Sequence, residues 1–194
     1  MNKKVKIINQ QTLHDGYLKI SKLSLKVPSL SSQKDYIAIN DREVINTNDS
    51  VSVLLYVPAK DSFILCQQFR VGVFLNKIED DCFTLECVAG NIDKAECPKK
   101  AAYREVKEET GIEIKDIQLI ATVYKSPGLL TEKNYLFYAE VNELPSCKLH
   151  GVDDEEIMTH VIKREKVYQL MDGMQLIDAA TVLALNWFHA KRHQ

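Results

Sequence analysis

The segment from Gly90 to Ile112, GNIDKAECPKKAAYREVKEETGI, constrains this chain more than any other stretch. Its centre reads as a helix, with Pro98 suited to the first turn and Gly111 suited to the C-terminal end. Residues three and four apart share one face of a helix, so several carboxylates should converge. They belong to Glu105, Glu108 and Glu109. Because like charges on one turn repel, the usual compensating group is a hard divalent cation with oxygen ligands.

A glutamate-rich helix face is more often simply solvated, and the EVKEE sequence alone would not indicate a metal site. The spacing around it favours a different interpretation. Five residues separate Gly90 from Glu96, seven separate Glu96 from Arg104, and Gly111 with an aliphatic residue follows the acidic turn. This pattern resembles the Nudix box at every defined position.

The resemblance implies a loop–helix–loop that holds Mg²⁺, with Mn²⁺ as a possible substitute, against a diphosphate. The cation would neutralise phosphate charge and activate water for in-line attack at phosphorus. The implied metal ligands are the carboxylates of Glu105 and Glu109 and the carbonyl of Ala89. Glu108 is expected as a ligand or near-ligand with a catalytic role.

Arg104 is interpreted as a structural partner of the catalytic carboxylates. It can pair with Glu108 at i+4, and the family resemblance implies that it orients the catalytic groups. Glu96 is expected to brace the loop before the helix. Gly90, which opens the box, is counted among the substrate-binding residues.

Length, charge and cysteine usage exclude several classes of protein. A chain of 194 residues with 45% hydrophobic content can bury the core of one domain with an appendage. Its formal net charge of -2 does not give the excess of positive charge that is typical of proteins that bind nucleic acid or an anionic membrane. Five cysteines without a CxxC pair predict neither a disulfide framework nor a zinc site, which indicates a reducing, cytoplasmic location. The N-terminus lacks the apolar region of a signal peptide, and no apolar run is long enough to span a membrane.

The N-terminal segment, residues 1–46, is predicted to be an antiparallel β-meander that precedes the main domain, residues 47–194. Residues 16–27 alternate between apolar and polar types, Pro28 begins a turn, and residues 35–46 form a second strand. Arg42, in that second strand, belongs to the predicted substrate-binding set.

The main domain is predicted to be an α/β/α sandwich of the α+β class, with a mixed sheet between helices. Strand patterns occur at residues 51–58, 62–69, 83–90, 117–124 and 133–141. Residues 71–81 look like a polar connection, and helical spacing marks residues 163–173 and 178–189. The final helix also resembles the last helix of bacterial ADP-ribose pyrophosphatases, which carry the Nudix box.

Arg70 and Glu86 are polar residues at the ends of apolar strands. An arginine at such a position is most often a surface residue, and a glutamate there often reaches solvent. Arg70 resembles the Q-x-R arginine that contacts substrate phosphate in ADP-ribose pyrophosphatases, where a guanidinium fork suits a diphosphate. Glu86 lies in an L-E-x-V-A-G phrase that in the same family places the glutamate in the substrate pocket.

The sequence Ser-Pro-Gly that begins at Ser126 is explained locally by turn chemistry. Its proline, however, lies sixteen residues after Gly111, within SPG-x-x-x-E. That offset resembles the ADP-ribose pyrophosphatase group of the Nudix superfamily and implies substrate contacts by Ser126, Gly128 and Glu132. The chain departs from the group at Leu129, where members commonly carry glycine.

The acidic segment HGVDDEEI, from His150 to Ile157, would ordinarily be a solvated loop. It also resembles the loop of bacterial ADP-ribose pyrophosphatases that carries one catalytic and one metal-contacting glutamate. This chain is two residues shorter there, and alignment from either side places Glu155 at the general-base position. Asp154 and Glu156 are the alternatives, and Glu155 is also counted among the metal-contacting residues.

The resulting hypothesis is Mg²⁺-dependent hydrolysis of ADP-ribose to AMP and ribose 5-phosphate. GDP-mannose or another nucleoside diphosphate sugar is the nearest alternative substrate. A non-catalytic Nudix-fold binding or regulatory module is the alternative of another class, although such modules typically lose box glutamates that this chain retains. The family resemblance further implies a homodimer built with the N-terminal meander.

Overall fold

The structure, a computed structural model, describes residues 3–76, 80–146, 148–151 and 156–192. The chain divides into two compact units. The first contains Met1–Asn48 and Tyr124–Glu132, and the second contains Asp49–Val123 and Lys133–Gln194. The Ser-Pro-Gly segment therefore belongs to the same unit as the N-terminal strands, although the sequence placed it in the main domain. Of the described helices, none has both the length and the apolar character that crossing a bilayer requires.

The first unit contains an antiparallel sheet in the order β1-β2-β3. Its strands are β1 (Lys6–Asp15), β2 (Lys19–Pro28) and β3 (Tyr36–Asn46). The predicted meander is present, but the sequence missed β1. Every residue of β1 is exposed, so the strand carries no alternation between a buried and a solvated face.

The segment Tyr124–Glu132 of the first unit is hydrogen-bonded to the end of β3. The Ile45 N–H donates to the Leu129 carbonyl at 2.9 Å, and the Thr131 N–H donates to the Ile45 carbonyl at 3.1 Å. The hydroxyl of Thr131 also accepts from the Thr47 N–H at 3.0 Å. These bonds attach the Ser-Pro-Gly turn to the N-terminal sheet.

Among its described residues, the second unit is built around a mixed sheet of eight strands with four α-helices along the chain. The strands are β4 (Ser50–Val57), β5 (Ser62–Phe69), β6 (Phe83–Glu86), β7 (Val88–Asn91), β8 (Gln118–Tyr124), β9 (Lys133–Glu140), β10 (Leu149–His150) and β11 (Ile157–Lys163). The helices are α1 (Val71–Leu75), α2 (Pro98–Thr110), α3 (Arg164–Asp172) and α4 (Ala179–Arg192). The main order is β10-β11-β5-β4-β9-β8, with β6 paired to β5 and β7 paired to β4. Strands β4 and β9 are parallel, whereas β4 and β5 are antiparallel.

Helices cover both faces of this sheet, which explains why every residue of β4 is buried. On one face, α2 contributes Ala102 and Val106 to a core that includes Val53. On the other face, α3 and α4 contribute residues such as Val167 and Phe188 to a second core. The predicted α/β/α sandwich with an N-terminal antiparallel meander is confirmed.

Two local predictions for the second unit were wrong, and one strand was missed. The expected polar connection after Arg70 contains the short helix α1, and the antiparallel strand β11 was not predicted. The strand expected at 83–90 is broken at Cys87 into β6 and β7. The break occurs because the Cys87 N–H donates to the Thr181 hydroxyl at 2.8 Å, while the flanking strands pair with β5 and β4 respectively.

Candidate active site

Helix α2 has the ends that its sequence predicts. Pro98 occupies the first turn, where a missing N–H costs nothing. Gly111 ends the helix in the left-handed conformation, with φ of 71°, and its N–H donates to the Lys107 carbonyl at 2.9 Å. The helix thus carries the acidic turn at its C-terminal end, facing the core on one side and solvent on the other.

Arg104 connects the acidic turn of α2 to the loop before it. Its Nη1 donates to Glu105 at 2.6 Å and to Glu108 at 3.1 Å, so the expected i+4 pair is present. Its Nε and Nη2 donate to the two carboxylate oxygens of Glu96 at 3.2 and 2.9 Å. Nη2 also donates to the Asn91 carbonyl at 2.9 Å. One guanidinium therefore fixes the loop and two box carboxylates together.

Glu96 is itself held from the loop side. Its Oε2 accepts from the Asp93 N–H at 3.1 Å. The hydrogen bond from Arg104 lowers the pKa of Glu96, with the Asp93 N–H acting in the same direction. This is the bracing arrangement that the sequence led us to expect.

Gly90 leaves room for the Glu105 carboxyl group. A Cβ at position 90 would overlap the carboxyl carbon and both carboxyl oxygens of Glu105. The glycine is required by this close approach and not by its backbone conformation, since its φ is not positive. Glu105 is buried beneath it at 8% exposure.

Glu109 is the most deeply buried acid of the box, at 4% exposure. Burial raises its pKa to about 8, and the negative charge of Glu105 acts in the same direction. The Cys66 thiol and the Ala89 N–H oppose this shift by hydrogen-bonding the carboxylate, the latter at 3.4 Å. The pKa of Cys66 is in turn raised well above its ordinary value by burial and by Glu109.

The residues present fit a divalent cation. Two buried carboxylates that repel each other, Glu105 and Glu109, present oxygen ligands beside a backbone strand that includes Ala89. Across the described parts of the chain, no three His, Cys, Asp or Glu side chains are already gathered in a metal-holding group. Arg104 forms ion pairs with Glu105 and Glu108. A cation at this turn would offset the repulsion between the Glu105 and Glu109 carboxylates.

Arg70 and Glu86 form a bidentate pair in the same unit. Arg70 Nε and Nη2 donate to the two Glu86 oxygens at 2.8 and 2.7 Å, and the Thr84 hydroxyl donates to Glu86 as well. The pair explains how a carboxylate only 6% exposed is tolerated at a strand end. Arg70 is also close enough to Glu109 for its pKa to respond to that charge.

The remaining predicted substrate residues lie in the first unit. Arg42 is exposed on β3, and Gly128 is exposed in the turn after Ser126. The carbonyl of Ser126 accepts from the N–H groups of Leu129 and Leu130 at 3.0 and 2.8 Å. Glu132 pairs with Lys125 at 3.2 Å.

The predicted general base, Glu155, lies outside the described residues, as does its alternate Asp154. The other alternate, Glu156, is described and exposed, directly before β11. Its position fits a solvated loop end.

Sequence reasoning missed the residues that hold the bend between β6 and β7. Asp178 accepts from both the N–H and the hydroxyl of Thr181, at 2.8 and 2.7 Å, and Thr181 then receives the Cys87 N–H. The available signal was the capping sequence before α4, which indicated a helix start but not its contact with Cys87.

The comparisons with known proteins agree with this geometry. The NUDIX domain family matches residues 46–182. The chain is 31% identical over 186 residues to a protein of Haemophilus influenzae named ADP-ribose pyrophosphatase, covering 94% of this chain and 85% of that one. It is 28% identical over 190 residues to a GDP-mannose pyrophosphatase of Salmonella arizonae, covering 97% of both chains.

The fold has a counterpart among solved structures. A crystal structure of an ADP compounds hydrolase superposes with a TM-score of 0.74, covering 98% of this chain and 95% of that one at 20% identity. At that identity the likeness concerns the fold alone. The family match over most of the chain, together with a box helix whose glutamates, arginine and glycines stand in the expected relation, identifies this chain as a member of the NUDIX domain family.

Proposed function

We propose that this protein hydrolyses the diphosphate of ADP-ribose in a Mg²⁺-dependent reaction that yields AMP and ribose 5-phosphate. The observation that carries the proposal is the buried pair Glu105–Glu109 under Gly90, which suits a hard cation. The substrate follows from the relatives named ADP-ribose pyrophosphatase, which align with nearly the whole chain.

Glu105 and Glu109 would hold the cation with the Ala89 carbonyl, and Glu108 would be a ligand or near-ligand. When bound, Mg²⁺ supplies charge neutralisation at the diphosphate and activates the attacking water. Mn²⁺ is the expected substitute. Arg104 keeps Glu105 and Glu108 oriented through its fork, so its role is positioning.

Glu155 is proposed as the general base that accepts a proton from the attacking water. Arg70 and Glu86 are proposed at the diphosphate, where the guanidinium would stabilise the charge that develops on phosphate oxygens. Gly90 belongs to the same set because it admits the Glu105 carboxyl. For Arg42, Ser126, Gly128 and Glu132, substrate contact stays a prediction from the sequence resemblance.

GDP-mannose is the second candidate substrate. The GDP-mannose pyrophosphatase of Salmonella arizonae matches 97% of both chains at 28% identity, whereas the ADP-ribose pyrophosphatase of Haemophilus influenzae matches 94% of this chain and 85% of its own at 31% identity. A non-catalytic module is disfavoured by the retention of all box glutamates.

The test is a substrate panel. Purified protein is incubated with Mg²⁺ and ADP-ribose, GDP-mannose, ADP-glucose or NADH, and nucleotide products are separated by chromatography. Fastest release of AMP from ADP-ribose is expected. Faster turnover of GDP-mannose would support hydrolysis at the box but make GDP-mannose the preferred substrate. No product from any compound would favour a binding module. Omission of the cation, with EDTA present, should abolish turnover.

A cytoplasmic homodimer is part of the same proposal. The described cysteines Cys66, Cys82, Cys87 and Cys97 are free thiols. The meander, residues 1–46, exposes apolar side chains such as Ile7, Ile8 and Tyr17, and an open cavity of about 660 Å³ lies among its residues. Light scattering of the intact chain, and of a Tyr17→Glu variant, tests whether these residues bury against a second copy.

A further inference from the structure

Gln68 carries a buried amide group that lacks a partner. The side chain is 7% exposed, and its Nε2 makes no hydrogen bond within the part of the chain that the structure describes. A buried amide donor left unpaired loses its hydrogen bonds to water and gains none in return, which is unfavourable. Its neighbour Gln67 is different, because its Nε2 donates to the Phe83 carbonyl at 3.3 Å and its Oε1 lies 3.0 Å from His160 Nε2.

The unpaired amide lies on the sheet face against which helix α2, with the box carboxylates, packs. Side chains alternate along a strand, so Gln68 shares a face with Cys66, which contacts Glu109. Cross-strand partners share a face as well, and Gln68 is paired with Thr84 while Cys66 is paired with Glu86. Gln67 points to the opposite face.

Arg70 follows Gln68 by two residues, and its guanidinium reaches Glu86 on the same face of the sheet. Its backbone N–H donates to the Cys82 carbonyl, whereas its guanidinium reaches Glu86, which is aligned with Cys66. The side chain must therefore extend back along the sheet, past the pair formed by Gln68 and Thr84. The Arg70 side chain is 40% exposed.

Glu86 binds only one edge of the Arg70 guanidinium. Nε and Nη2 donate to it, so the Nη1 group is not used by Glu86 and remains directed elsewhere. A guanidinium whose Nη1 is not bound to Glu86 and an amide donor without a partner in the described residues thus share one face of the sheet. An anion bound by Nη1 at this face would lie on the same side of the sheet as the Gln68 amide.

We infer that Gln68 is a substrate-contacting residue whose Nε2 donates to a non-bridging phosphate oxygen of the diphosphate, beside Arg70. The inference rests on the proposed function for the identity of the ligand. It makes Gln68 a binding group that transfers no proton. The unpaired donor of the free protein gains its partner when the diphosphate binds, so binding recovers the desolvation cost.

Gln68→Met and Gln67→Met form a matched pair, because they remove the same amide from adjacent positions on opposite faces. Binding of inorganic pyrophosphate in Mg²⁺ buffer is measured by calorimetry, and the midpoint of thermal unfolding is measured without ligand. Q68M should weaken pyrophosphate binding by about 10- to 100-fold, the range of a hydrogen bond to a charged group. Its melting midpoint should be unchanged or higher, because no bond is lost. Q67M should bind pyrophosphate normally and melt at a lower temperature.

A second variant, Gln68→Glu, keeps the shape and polarity of the side chain but puts an anion at the proposed contact. It should bind pyrophosphate more weakly than Q68M does, because like charges repel. The inference would be overturned if Q68M melted at a lower temperature but bound pyrophosphate as the wild type does. It would also be overturned if Q68E bound pyrophosphate as strongly as the wild type, or if the wild type did not bind pyrophosphate.

The kinetic counterpart is a rise in KM for ADP-ribose in Q68M with kcat nearly preserved, the signature of uniform binding. Failure of the wild type to hydrolyse any nucleoside diphosphate sugar would contradict the proposed function but not the inference about Gln68. The pyrophosphate isotherms would still decide whether Gln68 meets a phosphate oxygen.

Discussion

The carboxyl group of Glu105 occupies the space that a side chain at Gly90 would need. Gly90→Ala should therefore push the carboxylate out of the box. Since a displacement of about 1 Å at a reacting centre can cost on the order of 100-fold in rate, we expect kcat for the preferred substrate to fall by about that factor. The free energy of unfolding should change less than in a core substitution, because the displaced atoms are the end of a flexible side chain.

Gly72→Ala is the matched control for that substitution. Nothing lies within 4 Å of the Cβ it would add, and the residue is in helix α1, where alanine is preferred over glycine. This variant should keep kcat and gain a little stability. Equal rates for both alanine variants, measured by product release, would contradict a role for Gly90 in admitting Glu105.

Glu109→Ala should lower kcat by several orders of magnitude while the fold survives. The physical reason is that Glu109 is the buried carboxylate best placed to hold a cation, yet it makes few bonds that stabilise the metal-free protein. Glu113→Ala is the control, because Glu113 is an exposed acid whose recorded partner is Lys107. Circular dichroism verifies folding. Near-normal turnover of E109A would contradict the assignment of Glu109 as a metal ligand.

The sequence predicted the box helix, its ends and the Arg104–Glu108 pair because these depend on local spacing along one helix. It also predicted most strands of the second unit, whose apolar runs are strong. It missed β1, where both faces are exposed, and it missed the break at Cys87, which depends on Thr181 far along the chain. The Arg70–Glu86 pair was missed for a similar reason, since it depends on the register between β5 and β6. Contacts set by long-range register are not visible in local composition.

Glu109 should make the stability of the metal-free protein fall as pH rises. Its pKa is about 8 in the folded protein and near the ordinary 4.5 when unfolded, so the folded state binds more protons between those values. The free energy of unfolding contributed by this group is therefore highest below pH 4.5 and is lost progressively up to about pH 8. Urea unfolding at several pH values in EDTA measures the slope.

Glu109→Gln provides the comparison for the pH series, because a neutral amide cannot titrate. The negative slope between mildly acidic pH and pH 8 should be reduced in E109Q relative to wild type. Mg²⁺ should also reduce it in the wild type, since the ion stabilises the charged carboxylate. Parallel slopes for wild type and E109Q would show that Glu109 ionises at its ordinary pKa.

Arg104→Lys should lower kcat by about 10- to 100-fold, the cost typical of losing a group that orients ligands. Lysine keeps the charge but cannot bridge Glu96, Glu105 and Glu108 with one planar fork. Arg164→Lys is the control, since Arg164 makes a comparable bidentate contact with Asp61. Product release should be nearly normal in R164K, and a similar loss of kcat in both variants would argue against a specific positioning role.

Thr181→Val should destabilise the protein because it removes the hydroxyl that receives the Cys87 N–H in a fully buried position. An unsatisfied buried donor costs about 1–3 kcal/mol, which urea unfolding resolves. Thr181→Ser keeps the hydroxyl and should restore most of that loss. Because Cys87 lies between Glu86 and the strand that carries Ala89 and Gly90, T181V should also lower kcat beyond what its unfolded fraction explains. If T181V and T181S unfold alike, the bend between β6 and β7 is held by its strand pairing alone, and the hydroxyl of Thr181 adds nothing to the position of the box.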